Sequence, residues 1–142
     1  MYPHERSLVK RLENKPFALI GVNSDTDKDK LKEAMEKENI TWRSFWNGPE
    51  GTSGPISERW NVHGWPTMYL IDAKGVIRHK FLGSPGGETL DELIDALVKE
   101  AEDCAGHVHQ SIALTRPRAD GIRFAVLSFG HPSEARHGTP QD

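Results

Sequence analysis

At 142 residues the chain has room for one domain with a real core, and too little for two. Its 36% hydrophobic and 27% charged residues suit a globular domain rather than a membrane-embedded or disordered one. No apolar run approaches the roughly 18 residues of a spanning helix. A formal charge of −3, with Lys and Arg interspersed among Asp and Glu, gives no case for a nucleic-acid partner.

The amino end, MYPHERSLVKRLENK, has no apolar core of the kind a signal peptide needs. Residues 3–14 predict a helix with Leu8, Val9 and Leu12 on one face, and Pro3 is tolerable there only in a first turn or at a kink. FALIGVN (17–23) is a continuous apolar run closed by polar residues, the pattern of a strand buried on both faces. SDTDKDKLKEAMEKEN then offers Ser, Asp and Thr as caps, ahead of Leu31, Ala34 and Met35 at helical spacing. A short strand is expected from Trp42 to Trp46, followed by a Gly/Pro-rich loop and one or two helical turns over 56–62. TMYLID (67–72) and VIRHKFL (76–82) predict a hairpin joined by the turn Asp72-Ala73-Lys74-Gly75. Over 88–103, Leu90, Leu93, Ile94, Leu97, Val98 and Ala101 form a full helical stripe, with Ser84 or Thr89 as the cap.

After Asp103 the composition changes. Residues 104–142 hold four of the seven histidines, three prolines and four glycines, with one coherent apolar run, IRFAVLSF (122–129). The expected organisation is a domain over 1–103 and a tail over 104–142 that is loosely ordered or adds one strand. A βα unit followed by a hairpin and a last helix predicts an α/β sandwich, with helices covering a mixed sheet.

Gly64-Trp65-Pro66-Thr67, a strand ending in Asp72, a turn with Gly75 and a strand closing on Gly83 resemble the second half of a thioredoxin-like domain. The group most similar is the TlpA/redoxin (AhpC/TSA-like) thiol-disulfide oxidoreductases. The likeness covers about residues 2–102, with Pro3 resembling the proline that kinks the active-site helix. It implies a three-layer sandwich and a cis Trp65-Pro66 bond. It also implies a substrate groove formed by Trp65, Pro66 and Thr67, where an extended protein or peptide thiol or disulfide pairs with exposed main-chain groups. Trp65 would favour apolar peptides. No cofactor is implied. Localisation stays open: many relatives work outside the cytoplasm, in the periplasm or on a membrane anchor, which a longer parent could share, and the cytoplasm is the alternative.

The family's chemistry needs two thiols, one of them a thiolate of depressed pKa at a helix amino terminus. This chain has one cysteine, Cys104, so no intramolecular disulfide forms and no catalytic residue of the family can be carried over. The matching cysteine pair would fall before Met1. The expectation is therefore a truncated domain lacking its first strand, with Met1 an internal methionine. The alternative is a natural cysteine-free module that uses the Trp65-Pro66 groove for binding alone. In the family the lost strand lies between the equivalents of FALIGVN and TMYLID. Each buried amide orphaned by its loss costs roughly 1–3 kcal/mol. Either those two strands close up, or IRFAVLSF fills the gap.

The other candidates have plainer readings. Cys104 has no partner thiol or adjacent base and reads as an incidental thiol. His107-Val108-His109 has metal-ligand spacing only within a strand and lacks a supporting cluster, so no metal site is expected. GSPGGE (83–88) could place an anion at a helix amino terminus, but reads first as a loop leading into the helix. Trp42, Trp46 and Trp60 read as packing anchors. No nucleophile motif, phosphate-binding loop or dinucleotide fingerprint occurs.

Overall fold

The periodic segments become regular elements in the computed structural model, which describes residues 2–108 and 124–130, and the side chains of 3–105. In chain order these are α1 (Tyr2–Arg11), β1 (Phe17–Asn23), α2 (Lys28–Lys37), β2 (Arg43–Trp46), a 3-10 turn (Gly51–Ser53), α3 (Pro55–Arg59), β3 (Thr67–Ile71), β4 (Ile77–Leu82), α4 (Gly87–Val108) and β5 (Phe124–Gly130). Helix and strand mix in an α/β arrangement around one mixed sheet of order β2-β1-β5-β3-β4.

Local chemistry sets the element ends. Pro3 lies in the first turn of α1, where its missing N–H is harmless. Asp27 caps α2, its side chain accepting from the amides of Asp29 (3.0 Å) and Lys30 (3.2 Å). At the other end of α2, Asn39 adopts φ 50°. That conformation lets Ile40 N–H reach Met35 O at 3.0 Å and Asn39 N–H reach Glu36 O at 3.1 Å, which closes a Schellman motif. The hairpin turn is held by Asp72, whose Oδ1 accepts from Lys74 N (2.9 Å) and Val76 N (3.0 Å), while Gly75 takes φ 82°.

β1 runs parallel to both β2 and β5, and β3 runs antiparallel to both β5 and β4. β1 and β3 therefore do not close onto each other. β5 lies between them, paired from Phe17↔Phe124 to Asn23↔Gly130 on one side and from Thr67↔Phe129 to Ile71↔Ala125 on the other. Residues 124–130, from the IRFAVLSF region, thus supply a strand at the centre of the sheet, the second of the two arrangements the sequence left open. α4 also continues without a break past residue 104 to Val108, seven residues beyond Ala101, the end of the apolar stripe. Propagating an existing helix adds one hydrogen bond per residue, so it needs no core contact of its own.

Alternation along the strands divides the interior into two clusters on opposite faces. Leu19, Met68 and Leu70 meet Leu8 and Leu12 of α1 and Leu90, Ile94, Leu97 and Val98 of α4, with Trp42 packed alongside. On the other face Val22 and Tyr69 meet Val62, with Ile56 of α3, Trp60 and Trp65 packed against them. Helices cover both faces, as the α/β reading requires.

Candidate functional site

The strand directions place several chain ends along one edge of the sheet. β1, β2 and β5 all end there, because they are mutually parallel. β3 begins there and β4 returns there, with Thr67 opposite both Phe129 and Leu82. In open α/β sheets the carboxyl ends of parallel strands form the usual ligand crevice. Trp65, Pro66 and Thr67 lie on this edge, at the start of β3.

The loop that carries them is tightly held. The Trp65–Pro66 peptide is cis. Pro66 O accepts from Gly83 N–H at 2.8 Å, tying the loop to the end of β4. Thr67, itself buried, donates its hydroxyl proton to Gly64 O at 2.6 Å. A Cβ on Gly64 would lie 2.7 Å from Leu82 Cδ1, so the exposed Leu82 side chain would have to swing aside. No hydrogen bond to the N–H or C=O of Trp65 occurs among the described residues. Beside these two groups Leu82 is 73% exposed, the most exposed large apolar side chain described.

The Trp65 indole is partly buried against the Val22–Val62–Tyr69 cluster. Its Nε1 is buried and makes no hydrogen bond among the described residues. Tyr69 is fixed beneath it by a hydrogen bond from its hydroxyl to Trp60 O and by edge-on contact with the Trp60 ring at 5.4 Å. Lys80 spans the outer side. Its ammonium lies 5.2 Å over the Tyr69 ring and donates to Asn61 O at 2.8 Å. His63 Nε2 sits 2.6 Å from Asn61 Oδ1.

Three features of this end were not singled out in the sequence. Glu5 is 3% exposed, one helical turn ahead of Leu8 on the inward stripe of α1; the spacing Glu5, Leu8, Leu12 is its signal. His4 Nε2 approaches Asp91 Oδ1 at 3.2 Å, joining the amino-terminal parts of α1 and α4. Asn47, just past β2, is wholly buried and serves as the lock of the 47–57 segment. Its Nδ2 donates to Gly51 O (2.5 Å) and Ser57 Oγ (2.7 Å), and its Oδ1 accepts from Ile56 N and Ser57 N (3.0 Å each). Its own amide donates to Asn23 O at 2.9 Å, so the segment is anchored to the end of β1.

The remaining sequence candidates lie elsewhere. Cys104 is exposed and sits within α4, not after it. It lines a cavity of about 180 Å³ with Asp72, Ala73, Lys74 and Arg78. That is the turn end of the hairpin, opposite Trp65–Pro66. The helix places Cys104 about 25 Å along its axis from Gly87, at 1.5 Å per residue. Arg78 is held there by Glu100 (2.8 Å) and Asp72 (3.3 Å), which raise its pKa, Glu100 foremost. The His107-Val108-His109 spacing presupposed a strand. His107 belongs to α4 rather than to a strand, and His109 lies outside the described residues. Among the described residues no cluster of three or more metal-ligating side chains occurs. No described helix is long and apolar enough to cross a membrane. The sequence matches no protein-family model and no curated protein.

Proposed function

We propose that this chain is a thioredoxin-like domain related to the TlpA/redoxin thiol-disulfide oxidoreductases, and that it acts through its Trp65-Pro66-Thr67 groove as a binding module for extended peptides. The observation that carries the reading is the position of that loop. It opens β3 on the edge where the parallel strands end, beside a central strand parallel to β1 and antiparallel to β3. The Trp65 N–H and C=O, which make no hydrogen bond among the described residues, supply the donor and acceptor that strand addition uses. Leu82 beside them and the partly buried Trp65 favour an apolar side chain on the partner.

Within these residues the groove is separated from the one thiol by the length of the sheet. A peptide seated at Pro66 is out of reach of Cys104, so recognition is retained here without disulfide exchange. The related reading, an oxidoreductase domain that is inactive in the absence of its cysteine pair, shares the groove and the same lack of turnover. The module reading is favoured because the sheet is continuous through its centre, with β5 paired along both sides.

Two measurements on the full chain test this. Affinity for an array of extended apolar peptides should fall about 30-fold in Trp65→Ala, the loss of a roughly 2 kcal/mol aromatic anchor. Circular dichroism confirms that the variant is folded. Peptide binding that is absent, or unchanged by the substitution, overturns the groove. Insulin reduction with dithiothreitol should stay at background, and clear turnover overturns the claim that these residues do no exchange.

A further inference from the structure

We draw no further inference here: the strongest candidate, the cavity of about 180 Å³ between the β3–β4 turn and α4 that is lined by Lys74, Arg78 and the exposed Cys104, carries nothing because its reactive group is a lone cysteine and no bound ion, water or unpartnered buried polar side chain points to a ligand there.

Discussion

Replacing Asn47 by alanine tests whether one side chain fixes the segment that joins β2 to α3. α3 begins at Pro55 and its N-cap, Gly54, offers no side chain to the first-turn amides. Asn47 Oδ1 takes that role from outside the helix, accepting from Ile56 and Ser57, while Nδ2 satisfies Gly51 O and Ser57 Oγ. The alanine variant deletes all four bonds and leaves two inward-facing amides without their acceptor. Each unpaired buried donor costs roughly 1–3 kcal/mol, and loss of a helix cap about 1 kcal/mol. These contributions overlap, so the expected destabilisation is about 3–5 kcal/mol, a large share of the roughly 5–15 kcal/mol typical of a domain. With a urea slope of about 2 kcal/mol/M the midpoint should fall by about 2 M at unchanged slope, read by far-ultraviolet circular dichroism. Asn47→Asp keeps the two accepting contacts but turns an oxygen toward Gly51 O, so it should also be destabilised. A midpoint within about 0.3 M of the parent for Asn47→Ala, a change under about 1 kcal/mol, would refute the lock.

Gly54→Ala should destabilise at or above the upper end of the roughly 1–3 kcal/mol range for overpacking, because its Cβ would fall 1.8 Å from Asn47 O at an ordinary φ of −71°. Gly75→Ala, at φ 82° with nothing within 4 Å, should cost only the left-handed backbone penalty of about 1–2 kcal/mol, and the reverse ranking in urea would sink the steric account. Asp72 is held below the usual carboxylate pKa by the Val76 amide foremost, then by the Lys74 amide and Arg78. A depressed folded pKa gives stability that is present above the unfolded value and lost as pH falls through the folded one. Stability should therefore fall on acidification below about pH 4, less steeply in Asp72→Asn, and parallel acid profiles would contradict this.

Much of the fold was legible because its signals are local. The stripe from Leu90 to Ala101 needs only helical spacing, and Asp72 to Gly75 needs only turn chemistry. Trp42 and Trp60 do pack against the two core clusters, and Trp46 adds a 2.7 Å hydrogen bond from Nε1 to Asp25 O beneath Lys28. What sequence reasoning left open is non-local. Nothing in IRFAVLSF says whether it lies between β1 and β3 or elsewhere, because a buried strand's apolar run fits any slot with two apolar neighbours. Asn47 reads as one more polar residue before a Gly/Pro-rich loop. Its role depends on Gly54 leaving room and on Ser57 returning to it, at positions seven and ten residues away. Of the candidate site, the Trp65-Pro66-Thr67 step was visible from its residues. That the Trp65 indole would pack against the Val22–Val62–Tyr69 cluster, and that Leu82 would stand exposed beside the loop, required the hairpin's register.

Native-state hydrogen exchange at the amides of Ala125 to Phe129 tests most directly whether this segment is the middle strand on which the geometry of the proposed groove depends. Paired to β1 on one side and β3 on the other, these amides should exchange as slowly as those of Phe17–Asn23 and Thr67–Ile71. Exchange at coil rates across Ala125 to Phe129, with β1 and β3 still protected, would contradict it.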